Sequence, residues 1–145
     1  MTRTAFRKIL SANDVGLTGG HQGGVLIPKG NKELLEFLPQ LDAGLKNPDA
    51  WIDCTDDHGD NHRFRFVYYN NKLHDINGTR NEYRITYLTA WFRNEGAQPG
   101  EEFEISREFE QRAYRIRIIR QNTEAPRDLA ERPVRLRLKG WQRVH

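Results

Sequence analysis

The sequence predicts a mainly β (α+β) fold, a compact barrel or sandwich of roughly seven short strands with one or two short helices. Three observations carry this. Apolar and polar residues alternate in short runs, most clearly over His62–Tyr69, where Phe64, Phe66 and Tyr68 share one face and Arg63 and Arg65 the other. Clusters of turn-forming residues separate these runs. Only one segment, Asn31–Leu38, carries a clear helical stripe. The 145 residues are expected to form one domain, 1–145, long enough to bury a core without disulfides or a structural metal.

In chain order, Val25–Pro28 is a short apolar run between a glycine cluster and Pro28-Lys29-Gly30, and reads as a strand. In Asn31–Leu38, Asn31 caps the first turn, Leu34, Leu35 and Leu38 form the stripe, and Pro39 stops it. Trp51–Thr55 and His62–Tyr69 read as strands flanking the turn cluster Asp56-Asp57-His58-Gly59-Asp60-Asn61, which predicts a hairpin. Asn70–Gly78 is a polar stretch holding the tight-turn dipeptide Asn77-Gly78. Glu82–Phe92, rich in Tyr, Ile, Thr and Trp, reads as strand, and Asn94–Gly100 as loop. Glu102–Ile105, Ala113–Arg120 and Val134–Leu138 complete the strands, with a short helix at Ala125–Ala130.

The lone Cys54 excludes an internal disulfide framework and fits a reducing, cytoplasmic setting. No apolar run of about 18 residues is present, so no membrane-spanning helix is expected. Met1–Leu10 is basic with no apolar stretch after it and does not read as a secretory signal. Formal net charge is only +3, but from Arg112 onward ten basic residues face three acidic ones, leaving thirteen against seventeen in the rest. Nearly all ten are Arg, whose forked guanidinium matches phosphates and guanine edges. Nucleic acid is therefore the first partner to consider. Outward-facing arginines on barrel strands explain the same asymmetry.

Three segments carry possible chemistry. Ser11–Gly24 holds five glycines, with His21 and Gln22 between two glycine pairs. It reads either as a surface loop or as an arm that orders on a ligand. It fits neither the P-loop pattern nor GxGxxG. In Thr79-Arg80-Asn81-Glu82-Tyr83-Arg84, an extended backbone turns Arg80, Glu82 and Arg84 the same way. Two strand residues advance about 6.6 Å, close to two base-pair rises of about 3.4 Å. Arg bonds guanine O6 and N7 and Glu accepts from the cytosine amino group, so the row suits consecutive G·C pairs in a major groove. An internally paired surface ladder is the competing reading. The third segment holds Cys54, Asp56, Asp57, His58, Asp60 and His62. One thiolate with no second Cys argues against zinc, and a turn rich in turn formers accounts for the rest.

No Asp or Glu has a Lys two positions on, as a Mg²⁺ nuclease site of the paired-acidic-plus-lysine kind needs. Cys54 has no context that marks a nucleophile, and no Ser lies in a nucleophile elbow. The chain alone is therefore read as a non-enzyme.

Leu10-Ser11-Ala12-Asn13-Asp14, then Thr18-Gly19-Gly20-His21-Gln22 and Ile27-Pro28, resemble the start of the EcoRII-type restriction endonucleases. Tyr68-Tyr69-Asn70 and Thr79-Arg80-Asn81-Glu82, followed by Arg84-Ile85-Thr86, resemble a second shared block. The resemblance implies a B3-like seven-stranded open pseudobarrel with one or two short helices, like the plant B3 DNA-binding domain. It implies the amino-terminal effector domain, which binds double-stranded 5′-CCWGG (W being A or T) with two arms in the major groove and does not cut. Cleavage, and the Mg²⁺ it needs, belong to a separate nuclease domain, linked or on another chain; no cofactor is expected here. The location implied is the bacterial cytoplasm.

Carried over residue by residue, the resemblance implies DNA contacts at Lys8, His21, Arg80, Glu82 and Arg84. Ser11, Asn13, Asp14, Thr18, Gln22, Thr79 and Asn81 lie in the matched motifs, Ser11 to Asp14 and Asn81 fit structural roles equally, and Tyr83, within the second arm, is a further candidate DNA contact. Gly78 and Tyr83 stand where family members carry lysines, and Leu26 replaces a Tyr. Asn71–Asn77 is longer than expected, and Lys72 is a candidate phosphate contact. The alternative function is a small metal-dependent endonuclease using Asp56, Asp57, His58 and His62. A reader of methylated or flipped bases and a protein-interaction module are the remaining classes.

Overall fold

The computed structural model describes residues 3–18, 24–120 and 140–144. Among them run eight strands and three short helices: β1 (Arg3–Ile9), β2 (Val25–Ile27), α1 (Lys32–Phe37), β3 (Asp49–Thr55), β4 (Asn61–Tyr69), α2 (Asn71–His74), β5 (Glu82–Thr86), α3 (Leu88–Asn94), β6 (Glu102–Glu108), β7 (Tyr114–Ile119) and β8 (Trp141–Val144). The mainly β open barrel expected from the sequence is the fold found. The strand predicted at Val134–Leu138 and the helix at Ala125–Ala130 lie outside the described residues.

The strands form one sheet in the order β2-β5-β4-β3-β7-β6-β1-β8. Neighbours pair antiparallel, except for a short parallel contact that sets Cys54 and Thr55 of β3 opposite Tyr114 and Arg115 of β7. The two edge strands meet through a side chain: the Trp141 indole N–H donates to the Leu26 carbonyl at 3.0 Å. One such bond in place of a ladder draws the sheet nearly closed and leaves the barrel open. Alternation fills its inside. Phe6, Ile27, Phe66, Ile85, Phe103, Ile105 and Ile116 point inward and are almost wholly buried, and Leu34 of α1 and Phe92 of α3 join the same core.

The hairpin predicted around Asp56–Asn61 is β3–β4, in register from Asp49 opposite Val67 to Thr55 opposite Asn61. The predicted helix is α1, with the Asn31 side chain accepting from the Leu34 amide at 3.1 Å.

One expectation is corrected, and three elements were not foreseen. Glu82–Phe92 is not one strand: β5 ends at Thr86, Tyr87 turns the chain at φ 74°, and α3 follows. Leu88, Trp91 and Phe92 bury one helical stripe, so the period changes from 2 to 3.6 at Tyr87. The polar stretch Asn70–Gly78 holds helix α2 before the turn expected at Asn77-Gly78, which the Gly78 amide closes by donating to the Asp75 carbonyl at 3.0 Å, and a Cβ on Gly78 would lie 2.1 Å from the Asn71 carbonyl oxygen. Its entrance is fixed by Asn70, fully buried, whose side chain donates to the carbonyls of Ala43 and Leu45 and accepts from the Asn47 amide. The basic start of the chain is strand β1, and the end of the described residues is strand β8, neither of which was predicted.

Three of the described arginines of the basic end, Arg117, Arg120 and Arg143, form ion pairs with the barrel. Arg117 of β7 joins Arg3 and Arg7 of β1 on the carboxylate of Glu104, a β6 residue only 2% exposed. Burial alone would raise the Glu104 carboxyl; hydrogen bonds and charge from Arg117 and Arg7 hold it below its usual range. Arg120 pairs with Glu101, and Arg143 with Glu33 of α1.

Candidate nucleic-acid interface

The first glycine-rich arm leaves β1 at Leu10 and returns at Gly24 into β2. Its start is tightly built. The Lys8 ammonium bonds the Asp14 carboxylate at 2.5 Å, and the two side chains are only 11% and 7% exposed. The Ser11 amide donates to that carboxylate at 3.0 Å, and the Ser11 hydroxyl accepts from the Asp14 amide at 3.1 Å. Thr89 of α3 donates to the Asp14 carbonyl. Thr18 donates to the Asn13 side chain at 2.9 Å. Val15, 2% exposed, anchors the segment in the core. Lys8 and Ser11 thus form one knot around the buried Asp14 at the root of the arm. His21 and Gln22 lie outside the described residues.

The arm returns under a steric constraint. Gly24 adopts φ 90°, and a Cβ there would stand 1.9 Å from the Ile85 carbonyl oxygen of β5. Only glycine lets the backbone press so close to the neighbouring strand. That contact lays the return of the first arm beside the second.

The second arm runs from Asn70 through α2 to β5. The Asn71 side chain accepts from the Arg80 amide at 2.8 Å, and the Arg80 carbonyl accepts from the Lys72 amide at 3.0 Å, so the arm doubles back on itself. Strand geometry sorts its residues by face. Tyr83 stacks on Tyr68 with ring centroids 4.1 Å apart and reaches Phe66 at 5.8 Å. Asn81 accepts from the Tyr68 hydroxyl at 2.5 Å. Asn81 and Tyr83 therefore turn toward the barrel body. Glu82, Arg84 and Arg80 form the opposite row: Arg80 donates to Glu82 at 3.1 Å and lies 3.8 Å over the Tyr69 ring, and Arg84 donates to the same Glu82 oxygen. Arg84 also donates to the Gly24 carbonyl at 3.0 Å.

The common face predicted for the three charges is thus present, and they are paired as a ladder. Burial would raise the Glu82 carboxyl, but hydrogen bonds and charge from Arg84 and Arg80 hold it below its usual range, so it is ionised at neutral pH. Two guanidinium groups and one carboxylate leave the row with a net charge of +1.

Lys72 and Thr79 are exposed beside this row. So are two apolar residues that the sequence reading passed over, Leu73 at 55% and Ile76 at 100% exposure. Apolar side chains inside an otherwise polar stretch were the available signal for them. Leu26, 44% exposed, lies opposite Arg84 on β2.

The histidine–aspartate segment assembles differently. Asp56 is 3% exposed, and its two oxygens take the His62 ring nitrogen at 2.8 Å and the amides of His58 and Asp60 at 2.9 Å each. This locks the β3–β4 turn. Burial would raise the Asp56 carboxyl, but hydrogen bonds from His62, Asp60 and His58 together hold it low. Asp57 and His58 face outward. Burial pushes the Cys54 thiol up to about 12. Among the described residues no three His, Cys, Asp or Glu side chains are placed to hold a metal. No helix among them is long and apolar enough to cross a membrane.

An open β barrel with two neighbouring arms, one carrying an Arg/Glu/Arg row, defines the class. The model of the family described as restriction endonuclease EcoRII, N-terminal, matches residues 2–96, a span that takes in both arms. The chain belongs to that family. It is 40% identical over 89 residues to the type II restriction enzyme EcoRII of Escherichia coli, an alignment covering 56% of this chain and 20% of that enzyme. The chain thus spans about a fifth of the length of the curated relative it matches. Among solved structures, the Arabidopsis FUS3–DNA complex superposes with a TM-score of 0.61 at 22% identity, covering 82% of this chain and 99% of that one. That likeness shows the B3-like fold.

Proposed function

We propose that this chain is the sequence-specific double-stranded DNA-binding domain of a type IIE-like restriction endonuclease, gripping a G·C-rich site, 5′-CCWGG, in the major groove without cleaving it. The observation that carries the reading is the row of Arg80, Glu82 and Arg84 on one face of an extended strand, next to the return of a second, glycine-rich arm. Arg donates to guanine and Glu accepts from the cytosine amino group, so the row suits a site built of G·C pairs. The family membership and a fold shared with a FUS3–DNA complex support the same partner.

A single domain has no two-fold axis to match a nearly palindromic site. Two unlike arms meet that difficulty by taking one half-site each. Arg80, Glu82 and Arg84 serve one half, and His21 with Gln22 and Thr18 the other. Lys72 and Thr79 hold phosphates beside the second arm. Lys8, bound to Asp14 together with Ser11, fixes the arm root from which Asn13 and Thr18 extend. Asn81 and Tyr83 shape the second arm from behind. Cleavage, with its Mg²⁺, is assigned to a nuclease domain of the whole protein in the bacterial cytoplasm.

A competition gel shift at fixed salt tests this. A CCWGG duplex displaces the labelled complex at far lower concentration than a duplex with the G·C pairs exchanged; equal displacement refutes sequence reading. His21→Ala and Arg80→Ala each damage a different half-site, and equal damage to both halves by each variant refutes the division between arms. Plasmid incubated with the chain and Mg²⁺ or Mn²⁺ stays uncut; specific cuts would favour the Asp56, Asp57, His58, His62 alternative.

A further inference from the structure

We infer that Arg84 is a positioning residue that fastens the two arms to each other, so that recognition of both half-sites depends on it. The inference rests on the DNA-reading function proposed above.

The guanidinium of Arg84 is the most enclosed of the row, with its side chain 17% exposed against 41% for Arg80. In register it lies between Leu26 of β2 and Val67 of β4. Its Nε donates to Glu82 in its own arm, and its Nη1 donates to the Gly24 carbonyl, sixty residues away at the return of the other arm. Gly24 has little room to shift, because its φ of 90° and its approach to Ile85 press it against the strand that bears Arg84.

The first arm is thereby held at both ends by a charged side chain. Lys8 grips Asp14 at the front, and Arg84 grips Gly24 at the back. The two grips differ in reach, since Lys8 closes a knot within one segment while Arg84 spans both arms. Two of the five guanidinium N–H donors are taken, Nε among them, so the side-on fork that pairs Nε with an Nη is closed to guanine while Glu82 is held. Arg80 is more exposed, and among the described residues its guanidinium is held by Glu82 and the Tyr69 ring, which leaves it more room to turn toward a base. Within the row, Arg80 and Glu82 then meet bases, and Arg84 sets where both arms stand.

Binding of wild type, Arg80→Ala and Arg84→Ala is measured on three duplexes at one salt concentration: the intact site, one half altered, and the other half altered. Arg80→Ala is expected to lose tenfold or more of its discrimination at one half only. Arg84→Ala loses it at both. Arg84→Lys keeps the charge and the aliphatic stem but reaches only one of the two partners. It recovers salt-dependent affinity for any duplex and not discrimination at the far half.

A second readout needs no DNA. Amide hydrogen exchange at Val25–Ile27 quickens about tenfold in both Arg84 variants and stays unchanged in Arg80→Ala, as loss of a local hold on β2 demands. If Arg84→Ala damages only the half that Arg80→Ala damages and β2 exchange is unmoved, Arg84 is an ordinary reader and the inference fails while the proposed function stands. If wild type itself discriminates at neither half, both fall.

Discussion

Replacing Glu82 by alanine should move affinity and specificity in opposite directions. The Glu82 carboxylate is ionised at neutral pH and holds Arg80 and Arg84, so its loss raises the net charge of the row from +1 to +2. Arg80, 41% exposed, is the guanidinium free to turn outward. One added phosphate contact steepens the dependence of log K on log salt by about 0.9, so binding to any duplex is expected to strengthen at low salt. The same change removes the proposed acceptor for the cytosine amino group, a contact worth about 1–3 kcal/mol of discrimination. That is a loss of about 5- to 150-fold in preference at one base pair. The assay is a fluorescence-anisotropy titration of the site and of a duplex changed at that pair, repeated across salt concentrations. Undiminished preference in Glu82→Ala, or weaker binding to unrelated DNA, would refute the assignment of Glu82 as a base-reading acceptor.

Further outcomes concern the scaffold. Glu104→Gln is expected to cost about 1–3 kcal/mol in urea unfolding, below the full cost of breaking a buried pair, because Arg3, Arg7 and Arg117 are 34–49% exposed and turn into water. Gly24→Ala forces a Cβ to within 1.9 Å of the Ile85 oxygen at φ 90°, and should destabilise by about 1–3 kcal/mol or displace the arm root, read by urea unfolding and by β2 hydrogen exchange. Asp56, Glu82 and Glu104 all have carboxyls held below their usual range in the folded chain. The stability they contribute is present above their unfolded values of about 4 and is lost as pH falls through the lower folded ones. The thermal midpoint should therefore be insensitive to these groups above about pH 5 and fall below about pH 4, with a shallower fall in Glu104→Gln.

The legible parts of the fold were those whose signal is local. The β3–β4 hairpin showed because Phe64, Phe66 and Tyr68 alternate with arginines around a turn cluster, and α1 because a cap, a stripe and a proline follow one another. Strand β1 was hidden because its charged residues face both ways: Arg3 and Arg7 outward to Glu104, Lys8 inward to Asp14. Helix α3 was hidden behind β-forming Tyr, Thr, Trp and Phe, although Leu88, Trp91 and Phe92 carried the helical spacing. At the candidate site, the common face of Arg80, Glu82 and Arg84 follows from a two-residue period and was readable. The bond from Arg84 to Gly24 depends on β2 pairing with β5 across sixty residues, and no local pattern encodes that register.

The central claim, that this two-armed barrel reads a particular duplex sequence, is tested most directly by selection from a randomised duplex pool, with the bound fraction sequenced over successive rounds. Enrichment of 5′-CCWGG, with the G·C pairs fixed on both sides and the middle pair free between A·T and T·A, is the result expected. A pool returned without enrichment, or enriched for a site lacking the paired G·C steps, would contradict it.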